Sequence, residues 1–241
     1  MFTGSRSSRF ILTGACVATL MLLVGALGSR FGLWSFLIGF YLLFAGILVA
    51  LICAVCGIAA LVFSRGKGPN EGRARFVYGT ILSALVLATM AMQFLDAGRL
   101  PPIHDISTDR IDPPEFEHLV AVRGPNSNDL TYTDDERRQQ AIAYPAIKTL
   151  HTARDLDDSF DRVVAVAKAM DWKIVNRDRA AGIIESTATT FWFGFKDDVV
   201  IRIRQANGAT LIDLRSVSRV GMSDLGTNAA RIARFLAEFE R

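Results

Sequence analysis

Cysteine is scarce in this chain: Cys16, Cys53 and Cys56 are its only three, and all fall in an apolar front part. The rear therefore has neither a disulfide framework nor a thiolate metal site. Cys53 and Cys56 share one helical face, but without polar neighbours they read as small apolar side chains. Charge is missing from the front in turn. Runs at 10–28, 35–63 and 76–95 hold no Asp, Glu, Lys, Arg or His. A path for ions or protons through lipid requires such groups, so the front reads as an anchor and not a transporter. Histidine is limited to His104, His118 and His151, at spacings that fit no recognised metal motif, and neither a metal nor a cofactor is expected. The rear also lacks a basic surplus. Up to Leu100 there are eight Lys or Arg against two Asp or Glu, and after it 19 against 22, which gives +6 and −3 of the total +3. Nucleic acid needs a basic face on the folded part and is excluded as a partner.

What the chain does have is apolar length. Its 51% hydrophobic content and mean hydropathy of +0.29 come from the three front runs, each long enough to cross a bilayer as a helix. Counted from Leu33 to Phe63, the second exceeds one crossing, so tilt or an interfacial start that includes Trp34 is expected. The first reads as a retained helix, because no small-x-small cleavage site is followed by a polar mature start. Arg6, Arg9, Arg65, Lys67, Arg73 and Arg75 would share one side of the membrane, against Arg30 and Arg99 on the other. The positive-inside rule then puts the N-terminus in the cytoplasm and, after three crossings, the rear domain outside it, on the periplasmic side of an inner membrane. Small residues at a spacing of four, Gly46, Ala50 and Ala54 in the second run and Gly79 and Ser83 in the third, predict close packing of the three helices on each other.

The membrane region is expected over 1–96, an extended arm over 97–153 and an α+β domain over 154–241. In the arm, Pro101-Pro102 and Pro113-Pro114 force extended backbone. Ile103, Ile106, Ile111, Phe116, Tyr132 and Tyr144 supply anchors that hold it on the domain. Thr133 and Glu136 have the form of a capping box, which predicts a short helix over 134–143. Beyond the arm, Asp157-Asp158-Ser159 opens a helix with an apolar stripe at Phe160, Val163, Val164 and Ala167. Strands follow at 172–176 and 182–190, then an aromatic turn over 191–198.

Asn207-Gly208 lies between two alternating runs and specifies a two-residue hairpin. Its register opposes Ala206 to Ala209, Ile203 to Ile212 and Ile201 to Leu214 on an apolar face, and Arg202 to Asp213 and Val200 to Arg215 on a charged one. Ser223 is expected to cap a last helix with a stripe at Leu225, Ala229, Ile232, Leu236 and Phe239. The fold class is α+β: three transmembrane helices, then a two-layer domain with a four-stranded, mainly antiparallel sheet and two packed helices.

The charged face is the candidate site. Arg202, Arg204 and Arg215, with Glu185, are expected to gather around Asp213, while Arg219-Val220-Gly221 leads toward the last helix. Arginines and free helix amides can hold a phosphate, a carboxylate or a lipid headgroup. The competing reading is a ladder of cross-strand ion pairs beneath the arm. His104 and Asp105, with Ser107 nearby, are triad-type residues, but adjacency in sequence is not triad geometry, and no catalytic residue is assigned. The candidate ligand-binding set is Arg202, Asp213, Arg215, Arg219, His104 and Asp105.

The strings IHDISTD at 103–109, Tyr144-Pro145, Met170-Asp171-Trp172, FWFGFKDDVVIRIR and IDLRSVSRVGMSDLGTNAARI together resemble the family catalogued as domain of unknown function 1499. The resemblance covers most of residues 101–241. It implies a bacterial or plastid protein, in some members with membrane spans ahead of the domain, and brings no activity, cofactor or site residue. The expected function is a membrane-anchored cell-envelope protein whose outward domain binds or scaffolds an anionic ligand, a lipid or another envelope protein. The alternative is an envelope hydrolase or transferase using His104, Asp105 and the arginine face.

Overall fold

The computed structural model describes residues 5–64 and 72–241. Arg65 and Lys67 of the expected basic loop lie outside the described residues. The chain divides into two compact units, Met1–Asp96 with Phe191–Gly194, and Ala97–Thr190 with Phe195–Arg241.

Within the first unit, α1 (Ser5–Arg30), α2 (Phe36–Phe63) and α3 (Arg73–Ala97) are each long and apolar enough to cross a membrane. Small residues sit where the helices meet. Ala50 and Ser83 are fully buried, and a methyl group on Gly46 would come within 2.5 Å of Leu22 Cδ1. One on Gly79 would reach the Leu12 backbone nitrogen at 3.0 Å. Glycine is what lets these backbones approach, while Tyr41, Phe44 and Leu48 point outward.

In the second unit the hairpin forms in the register its turn dictates. Its strands are β5 (Lys196–Ala206) and β6 (Ala209–Ser218), with Ala206 opposite Ala209, Ile203 opposite Ile212, Arg202 opposite Asp213 and Val200 opposite Arg215. Asn207 and Gly208 take φ of 52° and 77°, as a type I′ turn requires. The sheet is larger than four strands. Among the described residues it has six, all antiparallel, in the order β1-β6-β5-β4-β3, with β2 also paired to β6. Here β3 is Lys173–Asp178 and β4 is Ile183–Thr189. The two extra strands, β1 (Asp105–Ser107) and β2 (Leu150–Thr152), come from the arm and lie along the outer edge of β6. That edge would otherwise leave a row of buried N–H and C=O groups without partners.

The helix count also differs. In this unit α4 (Asp134–Ala143), α5 (Leu156–Ala169) and α6 (Thr227–Glu240) join a 3-10 turn at Val120–Val122. The capping box at Thr133 and Glu136 is present on α4. Gln140 of α4, fully buried, acts as a side-chain strand for β1: Ser107 N donates to its Oε1 at 3.0 Å, and its Nε2 donates to Ser107 O at 2.6 Å. The apolar sheet face, with Ile184, Ile201, Ile203, Ile212 and Leu214, packs on Phe160, Val163 and Ala167 of α5 and Ile232, Phe235 and Phe239 of α6. Trp172 stacks on Phe235 with ring centroids 5.4 Å apart.

Three local expectations are corrected. Helix α5 is capped by Asp155, whose side chain accepts from Asp158 N at 2.7 Å, two residues before the acidic run expected to open it. The last helix is not capped by Ser223. Asp224 accepts from Gly226 N and Asn228 N at 2.8 Å each, the helix begins after Gly226 at φ 77°, and Leu225 is left 58% exposed. In the arm, Ile103, Ile106, Phe116 and Tyr132 are buried, but Ile111 is 90% exposed. The amides of Ile111 and Asp112 both bond Asp109 Oδ1, and that turn throws Ile111 outward.

Ile212→Ala should lower stability by about 2–5 kcal/mol through cavity formation. Gly208→Ala, at an open turn with positive φ, should cost only about 1–2 kcal/mol. Thermal unfolding of the full chain in detergent checks both. A third test uses Asp224, whose carboxyl is pushed above its ordinary value of 3.8 by burial, against the lowering effect of the Asn228 and Gly226 amides. The folded chain then holds that proton more tightly than the unfolded chain. The stability of the natural chain relative to Asp224→Asn should therefore rise as pH falls from neutral toward 3.8, measured as the difference in unfolding midpoint.

Candidate functional site

Alternation along β4, β5 and β6 places Glu185, Asp198, Arg202, Arg204, Asp213 and Arg215 on the face opposite the main core. The arm covers that face. Phe116 and Leu119 of the arm pack on Val200 and Val217, with Leu130 and Ile183 at the margin, so a small second core lies among the charges.

The charges form three carboxylate-centred groups. Asp213, fully buried, accepts from Arg202 Nη2 at 3.1 Å, Arg204 Nε at 3.2 Å and Thr149 Oγ1 at 2.6 Å. Arg202 and Arg204 also reach Asp109 Oδ2 at 3.3 and 3.2 Å, and Arg202 Nη1 donates to Asp112 Oδ2 at 2.9 Å. Asp198, fully buried, accepts from Arg123 Nη1 at 2.7 Å, Arg219 Nε at 2.9 Å and Thr187 Oγ1 at 2.9 Å.

The third group is deepest. Arg215 Nε and Nη2 donate to Asp105 at 3.1 and 2.6 Å, with both residues at most 3% exposed. Arg215 further donates to the carbonyls of Pro114 and Leu130, and its guanidinium lies 5.5 Å from the Phe116 ring centre and 5.8 Å from that of Tyr132. Burial raises the Asp105 carboxyl above its ordinary value, against the lowering effect of Arg215. The Tyr132 phenol is raised as well, by burial first and then by Asp105; it donates to Gln140 Oε1 at 2.7 Å. Glu185 does not join Asp213. Its carboxylate accepts from the backbone amides of Glu117, His118 and Leu119 at 3.2, 2.9 and 2.7 Å and so pins the arm.

Of the six candidate residues, Arg202 and Asp213 meet directly. Arg215 pairs with Asp105, a partner 110 positions away, and Arg219 turns to Asp198 instead of the last helix. His104 stands apart from the arginines. Its Nδ1 lies 3.6 Å from Glu136 Oε1, beside a cleft of about 530 Å³ that Asp129, Thr131 and Met222 also line. A larger cleft of about 830 Å³ has Arg123, Tyr132 and Arg215 among its walls, with Asp112, Glu115 and Asp129 also lining it. His118 lies 3.4 Å from Glu185, and His151 is exposed on β2. Sequence reasoning missed Asp109, Asp198, Arg123 and Gln140. Asp198 was within reach, since it continues the charged alternation of β5; the others sit in aperiodic arm or on a short helix.

A family model described as Protein of unknown function (DUF1499) matches residues 105–239, and the chain belongs to that family. The match starts at the first residue of β1, so the arm that seals the charged face is part of what defines the family domain. No curated protein matches the chain.

Arg215→Met should cost about 3–5 kcal/mol, because it strands the buried Asp105. Arg138→Ala, which breaks a pair whose partners are 70% and 67% exposed, should change stability by about 0.5 kcal/mol or less. Unfolding midpoints of the two variants measure the contrast.

Proposed function

We propose that this DUF1499 member is a cell-envelope protein held in the inner membrane by α1, α2 and α3. Its N-terminus is cytoplasmic and its α+β domain periplasmic, where the domain binds or scaffolds a lipid, an anionic ligand or another envelope protein. The distribution of basic residues supports the orientation, with Arg6, Arg9, Arg73 and Arg75 on one side of the spans and Arg30 and Arg99 on the other.

The observation that carries the binding reading is that the chain supplies its own anions. Asp109, Asp112 and Asp213 occupy Arg202, Asp105 occupies Arg215, and the Asp224 carboxylate occupies the amides that open α6. A small free anion would have to displace one of these, whereas a lipid surface or a protein face would not. An extended partner is therefore favoured over a soluble one. The same pairing disfavours hydrolysis, since Asp105 is committed to Arg215 and not to His104.

Purification of the full chain in mild detergent, followed by native mass spectrometry, should recover a bound lipid or protein; a folded chain that carries neither would count against the reading. Orientation is tested by placing a cysteine at Asn207, an exposed turn position, in a chain whose own cysteines are replaced by Ala. A membrane-impermeant maleimide should label it without breaching the inner membrane. Labelling only after that membrane is opened would reverse the orientation.

A further inference from the structure

The loop between β4 and β5 is closed at its base, where Thr190 N donates to Phe195 O and Phe195 N to Thr190 Oγ1, both at 2.9 Å. The four residues beyond that closure, Phe191–Gly194, form a tip, and they group with the front helices in the first unit. Phe191 is 66% and Trp192 50% exposed, and their rings meet edge to face at 5.1 Å. Two large aromatic side chains held in water are costly, at about 25 cal/mol per Å² of apolar surface.

Inside that unit the tip is tied to the turn between α1 and α2. Arg30 Nη1 donates to Phe191 O at 2.6 Å with its guanidinium 5.2 Å from the Phe191 ring centre, and Ser29 Oγ donates to Phe193 O at 3.1 Å. The same turn exposes Phe31 and Leu33 and carries Trp34. Any chain that crosses a membrane three times puts the end of α1 and the end of α3 on the same side. The α1–α2 turn therefore faces the compartment that receives the residues after Ala97, at the depth where Trp and Arg collect in membrane proteins.

We propose that the Phe191–Gly194 tip is an interfacial lipid element. Phe191 and Trp192 partition into the headgroup boundary of a phospholipid bilayer beside the α1–α2 turn, and the chain contacts lipid at a point outside its three helices. The proposal rests on the membrane reading of α1, α2 and α3, and the test separates the two. Trp34→Phe with Trp172→Phe leaves Trp192 as the sole tryptophan of the full chain, reconstituted in phosphatidylcholine and phosphatidylglycerol vesicles. Its emission should be lost when the phosphatidylcholine is brominated near the headgroup end of the acyl chains, lost less with bromine at the chain ends, and little affected by acrylamide. Emission indifferent to both brominated lipids and lost to acrylamide would overturn the proposal. If Trp172→Phe unfolds the domain, Trp34→Phe alone gives the same reading, because Trp172 is 6% exposed and stacked on Phe235. In the companion chain, Trp172→Phe with Trp192→Phe, Trp34 reports on the helices. Trp34 quenched by brominated lipid and Trp192 not would sink the tip alone; neither quenched would sink both.

Discussion

Arg215 lies midway along β6 with 3% of its surface exposed, where an unmatched guanidinium would cost several kcal/mol. Asp105 supplies the matching charge, and much of the domain's construction follows from that pairing. To reach Arg215, Asp105 must lie beside β6, which makes residues 105–107 a strand. The new strand has an outer edge of its own, and Gln140 satisfies it by bonding both backbone groups of Ser107. Gln140 can do so only from α4, whose start is fixed by Thr133 and Glu136. The remaining donors of Arg215 go to Pro114 and Leu130, so the arm is held on either side of Phe116 as well. A single buried charge thus explains why a segment rich in proline and poor in periodicity lies ordered on a sheet.

This dependence also marks where sequence reasoning reaches and where it stops. The hairpin was legible down to its pairs, because Asn207-Gly208 fixes the turn and the period of two does the rest. The contact between Arg202 and Asp213 came with it, being cross-strand and local. The contact between Arg215 and Asp105 did not, since nothing in a three-residue run with no alternation announces a strand. What makes Asp105–Ser107 and Leu150–Thr152 strands is the demand of the β6 edge, a tertiary condition. The start of α6 failed for a different reason. Ser223 and Asp224 are both good capping residues by type, but Gly226 at positive φ takes the N-cap position and sets where helical dihedrals begin, while the Asp224 side chain reaches forward to the Gly226 and Asn228 amides. Ile111 shows the limit of counting apolar residues as anchors, because Asp109 gathers the local amides into a turn and leaves the side chain outside.

The second unit keeps its charge chemistry inside, the reverse of what a small-anion receptor would need. Eight ionic groups, Arg123, Arg202, Arg215, Arg219, Asp105, Asp198, Asp213 and Glu185, are spent on each other or on the arm backbone. Opening that face to a ligand would mean lifting the arm and unsealing the cluster of Phe116, Leu119, Val200 and Val217. Each of these apolar side chains adds about 1.5–3 kcal/mol to the cost of such an opening, on top of the broken ion pairs. By contrast Phe191 and Trp192 already meet solvent and need no rearrangement to gain from an apolar or interfacial partner. The arginine face is therefore best understood as the charged core that keeps the arm, and with it the family domain, in a single shape.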